Sequence, residues 1–238
     1  MARDYVENEA WDVPNSNMLV NLVSEQMYKW NGSGSGETVT TYYAGASVKK
    51  GNNGATSFVL FKEKGDTKFN AIENLFAKID KSVEFIFRMI DLCEKIDLDS
   101  IPVTNLECWQ HIPPKDDDFF LTCFSSLSRT LFLMEKENSD VNIGICRKDY
   151  SGSVSYYGEV KVGDDVVYKA KPAFEKKDVV KNIMYGYIGA GAMLEKLHDM
   201  SWTVMTSIHH PDYSVEKIYG EREMRLKKVE TEEDGKLL

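Results

Sequence analysis

One segment of the chain keeps an apolar stripe at helical spacing for about five turns, and no other feature limits the fold as strongly. The stripe consists of Ile72, Leu75, Phe76, Ile79, Val83, Ile86, Phe87 and Ile90. A helix of this length with one apolar face has to cover a hydrophobic core. Because the segments before it are rich in β-branched and aromatic residues, that core is predicted to include a sheet.

The remaining elements are predicted from the same periodicities. Two strands precede the stripe, over 38–48 and 58–61, joined by a turn at 49–54. A second helical stripe follows it, at Phe120, Cys123, Phe124, Leu127, Leu131 and Met134, after an acidic run at 116–118 that suits a helix N-terminus. Then come three strands over 141–145, 154–162 and 166–173 and a last helix over about 175–200.

The start of the chain is predicted to contain one more helix. Residues 1–14 form a polar lead-in arm, and helical spacing begins after Asn15 with Leu19, Leu22, Val23 and Trp30 on one face. The predicted fold class is therefore α+β, with two related units of antiparallel sheet packed against long helices, in the orders α-β-β-α and α-β-β-β-α. Helices would cover one face of each sheet.

Four parts are predicted along the chain. Residues 1–96 form the first unit, 97–116 a linker with Pro102, Pro113 and Pro114, 117–200 the second unit, and 201–238 a C-terminal segment with a charged tail. Inside the first unit, 32–36 is a strict Gly/Ser alternation typical of an engineered flexible connector. It carries no functional inference.

Composition excludes some classes of protein. The chain has 238 residues, 42% of them hydrophobic, and a net charge of −9, which argues against a disordered chain and against general attraction to nucleic acid or anionic membranes. No apolar run reaches about 18 residues, and the polar, acidic start of the sequence is not expected to be a signal peptide. The four cysteines lack the close spacing of disulfide frameworks or zinc sites, which predicts buried thiols and an intracellular, cytoplasmic or nuclear protein.

The second unit resembles a double-stranded-RNA-binding domain. It has the element order α–β–β–β–α, a hairpin Tyr157-Gly-Glu-Val-Lys-Val-Gly-Asp-Asp-Val-Val-Tyr168, and a lysine-rich helix start Lys176-Lys177-Asp178-Val179-Val180-Lys181 similar to the family's lysine motif for the RNA backbone. It departs from the family in lacking a Gly-Pro-x-His loop between Ile145 and Val154, and in having 183–187 where the last helix should be rich in alanine. In that family, loss of these motifs implies a protein-binding role.

Signals for catalysis, cofactors or metals are weak. The chain has no phosphate-binding loop, and the glycines of 186–192 lie within a helical stripe, which favours close helix packing over a dinucleotide loop. His209, His210 and Asp212 fit a solvated turn better than a metal site. We therefore predict a protein that is not an enzyme and has no cofactor, no metal and no catalytic residues. An enzyme would need a site assembled from distant residues.

Aromatic residues interleaved with lysine on strands are the strongest functional signal. Alternation directs one ring of each tyrosine pair outward, and exposed rings flanked by lysine are typical of single-stranded nucleic-acid binding. The predicted nucleic-acid-binding residues are Tyr43, Lys49, Lys50, Tyr157, Lys161, Lys169, Lys176, Lys177 and Lys181. The alternative is that the tyrosines are ordinary cross-strand pairs and the lysines keep strand edges soluble.

The leading functional hypothesis is a nucleic-acid-binding protein that uses open sheet faces and the lysine-rich helix start. Its rival is a protein-interaction or assembly module, such as a scaffold or a viral-type structural subunit. In the rival hypothesis the first helix lies in a groove, with Leu19, Leu22, Val23 and Trp30 as partner-binding anchors. A homo-oligomer fits either hypothesis, and no membrane partner is expected.

Overall fold

The computed structural model describes residues 4–30, 36–50, 56–105, 119–150 and 152–208. Sheet A contains β1 (Asp4–Asp12), β2 (Met18–Trp30), β3 (Gly36–Lys50) and β4 (Thr56–Gly65). Sheet B contains β5 (Val103–Asn105), β6 (Val141–Tyr150), β7 (Ser153–Val162) and β8 (Asp165–Lys169). The helices are α1 (Lys68–Lys95), α2 (Phe119–Glu137) and α3 (Lys176–Ser207). The predicted α+β class is confirmed.

Sheet A is an antiparallel meander that α1 covers on one face. The prediction of a helix from Asn15 to Trp30 is wrong, because Met18–Trp30 is strand β2. Met18, Val20 and Leu22 are buried while the residues between them are only partly so, which is the alternation of a strand. The prediction of a lead-in arm is also wrong, because Asp4–Asp12 forms strand β1 and pairs with β2. The first unit therefore begins with four strands and no helix.

Sheet B is mixed. Strands β6, β7 and β8 are antiparallel, in the predicted order between α2 and α3, whereas β5 pairs with β6 in parallel through Val103↔Ile145 and Thr104↔Cys146. Strand β5 lies in the segment predicted to be a linker, of which 106–116 is outside the described residues together with the acidic run at 116–118. Three residues are too few to give a period-2 signal in a sequence.

A single hydrophobic cluster connects the two sheets and the three helices. Phe61 of β4 meets Phe124 of α2 with 5.6 Å between ring centroids, and Tyr187 of α3 lies 5.6 Å from Tyr168 and 5.9 Å from Phe85. Helices α1 and α3 contact each other extensively. Gly191 of α3 lies beside Ile86 of α1, where an added Cβ would come within 3.4 Å of the isoleucine side chain, an ordinary van der Waals distance.

Candidate functional site

The hairpin of β2 and β3 is longer than the strands beside it. The first described pair of β1 with β2 is Asp4↔Gln26, and β4 ends at Gly65 opposite Tyr42 of β3. Beyond these points β2 and β3 continue to pair as far as Trp30↔Gly36. We call residues 27–30 and 36–41 the ribbon arm. Helix α1 starts at Lys68, immediately after β4 ends, and so runs back over the sheet and away from the arm.

The ribbon arm carries an exposed aromatic pair. Tyr28 is 54% exposed and Trp30 65%, with 6.4 Å between their ring centroids. They lie on the same face because they are two residues apart on one strand. The Tyr28 ring lies over Gly36, where an added Cβ would come 2.3 Å from the ring, so a larger residue at position 36 would displace the tyrosine side chain. Solvent-exposed tryptophan and tyrosine side chains of this kind are enriched among the residues that dominate protein interfaces.

The arm is also weakly supported by its own chain. A two-stranded hairpin is marginally stable in water unless further strands or a helix pack on it. Among the described residues, no strand pairs with β3 at 36–41 on the side away from β2. An aromatic pair on such a ribbon exposes apolar surface that a partner would remove from water.

The outer face of sheet A, opposite α1, contains a shallow cleft of about 160 Å³. It is lined by Val23, Tyr43 and Val59, and at its base the buried Oδ1 of Asn21 accepts no hydrogen bond. Val59 is 53% exposed. Because its lining residues on β2 have odd numbers, the cleft lies on the face of sheet A opposite to that of Tyr28 and Trp30.

The four predicted partner-binding residues do not form one surface. Leu22 is 2% exposed and belongs to the core, whereas Leu19 and Val23 lie on the outer face of sheet A and are half-buried. Trp30 alone is fully solvent-facing, at the end of the arm. The groove-binding helix that was to hold all four is ruled out because these residues lie on a strand. Trp30 remains a candidate anchor for a different reason, its position on the arm.

The rings of the two tyrosines predicted to stack on bases are less exposed than the period-2 pattern of the strands predicted. In the first pair Tyr43 does face outward and Tyr42 inward, as predicted. However, the Nζ of Lys62 lies 4.4 Å from the Tyr43 ring centroid and occupies one face of the ring. Tyr157 is only 8% exposed, so the expectation of an open ring there is wrong. A base could stack on either ring only after the surroundings rearranged.

Most of the predicted lysines face a carboxylate within the chain. Lys49 pairs with Asp12 at 2.5 Å, and the others pair as Lys161–Glu159 at 3.2 Å, Lys169–Glu159 at 4.0 Å, Lys177–Glu175 at 2.7 Å and Lys181–Asp178 at 3.4 Å. Lys176 donates to the carbonyl oxygen of Leu98 at 3.3 Å. The side chain of Lys50 is outside the described residues. These pairs neutralise charge that a nucleic acid would have to use.

The lysines also lie in separate places. Lys49 and Lys50 are on strand β3 of sheet A, and Lys161 and Lys169 flank Glu159 on sheet B. Lys176, Lys177 and Lys181 lie at the start of α3. At the start of α3, Lys177 and Lys181 line a cavity of about 250 Å³ whose apolar wall includes Ile96 and Val180. This cavity is where the structure brings predicted nucleic-acid-binding residues together.

The described cysteines are buried thiols, as predicted. Cys93, Cys123 and Cys146 are unpaired and buried, while Cys108 lies outside the described residues. Burial, with a smaller contribution from the charge of Glu94, raises the pKa of Cys93 to about 12. Burial likewise raises the pKa of Cys123 and of Cys146. Because the thiolate is the reactive form, these groups are unsuited to nucleophilic catalysis near neutral pH.

Alkylation of Cys93 by iodoacetamide is expected to be slow in the folded chain at pH 8 and to accelerate as the pH approaches 12. A raised pKa reduces the thiolate fraction, which at pH 8 is lower than in an unfolded chain by about three powers of ten. Peptide mass spectrometry of native and urea-unfolded chain measures both rates at the same pH. Equal rates in the two states would contradict the buried position.

The part of the chain that the structure describes contains no group of three His, Cys, Asp or Glu side chains placed to hold a metal. His209, His210 and Asp212 are outside it. None of the described helices is long and apolar enough to cross a membrane.

Comparisons with known proteins add no family to these observations. No family model, curated protein or solved structure matches the chain. The resemblance of 117–200 to double-stranded-RNA-binding domains therefore stays a prediction.

Sequence reasoning missed two features of the arm. Tyr28 was not singled out, although it shares a strand face with Trp30 once residues 18–30 are read with a period of two. The β-branched run at 38–41 was recognised as strand, but nothing local indicates that its outer edge lacks a neighbour. That depends on where β4 ends, which is a property of the assembled sheet.

Proposed function

We propose that this chain is a non-enzymatic protein-interaction module that docks a protein partner on the ribbon arm. Tyr28 and Trp30 serve as the anchors. The sequence suggested either nucleic-acid binding or protein binding, and this proposal is the protein-binding hypothesis. It differs in that the docking element is a β-ribbon and not a helix. Free buried thiols support an intracellular location, which we propose with it.

The observation that carries the proposal is the exposed aromatic pair on an arm that extends past β4 and past the described residues of β1. Tryptophan and tyrosine supply large apolar area with few rotatable bonds, so they lose little entropy on docking. Burying such side chains is worth about 1.5–3 kcal/mol each. The carboxylate pairing of most predicted lysines further favours protein binding over nucleic-acid binding.

Trp30→Ala is expected to weaken the complex with the partner by about 30-fold or more, as loss of an interface anchor does. Phe87→Ala is the matched control, because Phe87 is 64% exposed against 65% for Trp30 but lies on the outer side of α1. Tagged full-length chain is purified from its native cells in the three forms, and co-purifying protein is measured by quantitative mass spectrometry. Equal loss in both variants, or no loss in either, would refute the ribbon arm as the docking site.

Nucleic-acid binding is the second candidate, and we propose the start of α3 as its site. Lys177 and Lys181 line one cavity there, and the helix N-terminus favours anions. Changing Lys176, Lys177 and Lys181 together to alanine would then weaken oligonucleotide binding uniformly across sequences and flatten its salt dependence. Unchanged binding in an anisotropy titration of the triple variant would remove this site.

A further inference from the structure

We propose that a second copy of this chain pairs with the open edge of β3 at 36–41. The two copies are related by a two-fold axis, and their ribbon arms form one four-stranded antiparallel sheet in the order β2–β3–β3–β2. The inference rests on the proposed function, in which the ribbon arm docks a protein, and it assigns the open β3 edge of that arm to a second copy of the chain.

The hydrogen-bonding direction of each residue on the arm follows from the β2–β3 register. The backbone N–H of Lys49 donates to the carbonyl oxygen of Asn17 at 2.7 Å, so Lys49 faces β2. The register is unbroken from Met18↔Val48 to Trp30↔Gly36, so the odd-numbered residues of β3 face β2 and the even-numbered ones face the opposite edge. The N–H and C=O groups of residues 36, 38 and 40 therefore point to the side on which no described strand pairs.

This edge lacks the features by which proteins protect open strands. Such features are charged side chains, proline and bulges. Edge strand β4 has Lys62 and Lys64 and a register shift against β3, and β1 has acidic residues and a shift of its own. Residues 36–41 contain one charge, Glu37, with no lysine, no proline and no register shift. An unprotected antiparallel edge is a template for an identical strand.

The same stretch is complementary to itself. With the two-fold axis at Thr38, Thr38 faces its own copy and Gly36 faces Thr40 of the second copy, so outward N–H and C=O groups meet on both sides. Glu37 then faces Val39 of the second copy, and no two like charges lie opposite each other. The Thr–Thr pair is of a kind that stabilises sheets. If the two copies paired through β2 instead, Lys29 would lie in the contact. Because a lysine protects a strand edge, pairing through β3 is favoured.

Thr38→Pro tests this pairing with little cost to the fold. Proline removes an N–H that points outward, so no bond to β2 is lost, and proline is tolerated at strand edges in this orientation. Thr38→Val is the matched control, because it keeps the N–H and the β-branched shape. Sedimentation velocity of purified full-length chain over about 1–100 μM gives the dimer dissociation constant of each form.

The wild type and Thr38→Val are expected to dimerise, and Thr38→Pro to dimerise at least about 100-fold more weakly, with the melting temperature of the wild type at concentrations where both are monomeric. A second measurement keeps the proposal testable if the proline variant fails to fold. Thr38→Cys in a Cys108→Ser background should form a disulfide-linked dimer on mild oxidation, whereas Lys81→Cys on α1 in the same background should not.

Two results would overturn the inference. One is a wild type that stays monomeric over the whole range, and the other is a Thr38→Pro dimer as tight as the control. If the chain is monomeric and Trp30→Ala still releases a different protein, the second-copy inference fails while the proposed function stands. If neither dimer nor released partner is found, both fail.

Discussion

Phe124→Ala is expected to lower the free energy of unfolding by about 3–5 kcal/mol, the usual cost of truncating a fully buried phenylalanine. Phe124 lies on α2 and is 0% exposed, and its ring meets Phe61 of β4 edge-on. The contact joins a helix of the second half of the chain to a strand of the first. Because the described core is one cluster, we expect one cooperative transition that moves as a whole.

Phe132→Ala on the same helix is the control, since Phe132 is 57% exposed and its loss should change stability by less than about 0.5 kcal/mol. Urea unfolding followed by circular dichroism and by tryptophan fluorescence measures both variants. If the chain showed two separate unfolding transitions and Phe124→Ala shifted only one of them, the first and second halves of the chain would unfold independently. That result would contradict a shared core.

Leu22→Asp and Val23→Asp are expected to give opposite results although the residues are adjacent. Leu22 is 2% exposed in the core, so a carboxylate there is desolvated without a partner, which costs about 4–5 kcal/mol or more and is enough to unfold a marginal domain. Val23 lies on the other face of β2 and is half-buried, so its variant should fold with a modest loss. Thermal melts and gel filtration distinguish the two outcomes.

This pair tests strand against helix directly. In a helix, residues 22 and 23 lie about 100° apart on a shared stripe and both substitutions would be damaging to a similar degree. If both variants folded normally, or both lost stability to the same degree, the assignment of residues 18–30 as a strand would be contradicted.

The elements that could be predicted are those with a long, unambiguous period. Helix α1 buries one face from Ala71 to Cys93, although Phe87 of the predicted stripe is 64% exposed, and the hairpin of β7 and β8 has alternation and a turn at Gly163. Strand β2 was misassigned because Leu19, Leu22 and Val23 fit helical spacing while Met18, Val20, Leu22 and Ser24 fit a period of two. The choice is made by pairing with β3, a contact between segments that a local pattern does not contain.

The candidate site was predictable only in part, for a similar reason. Trp30 was identified from residue type, but its exposure depends on β4, and the described residues of β1, not reaching the end of the hairpin. The lysines were identified from their places beside tyrosines on strands and at the start of the last helix. Their carboxylate partners come from other elements, as Asp12 does for Lys49, or from side-chain directions on one strand, as Glu159 does for Lys161. Availability of a side chain is a property of the folded surface.

Photo-crosslinking from the arm tests the central claim most directly. A photoreactive amino acid is placed at Trp30, and at Phe87 as the equally exposed control, and the full-length chain is irradiated in its native cells. We expect a protein adduct from position 30 that is absent at position 87, and no nucleic-acid adduct. Equal protein adducts at the two positions, or adducts at position 30 that nuclease removes, would contradict the account.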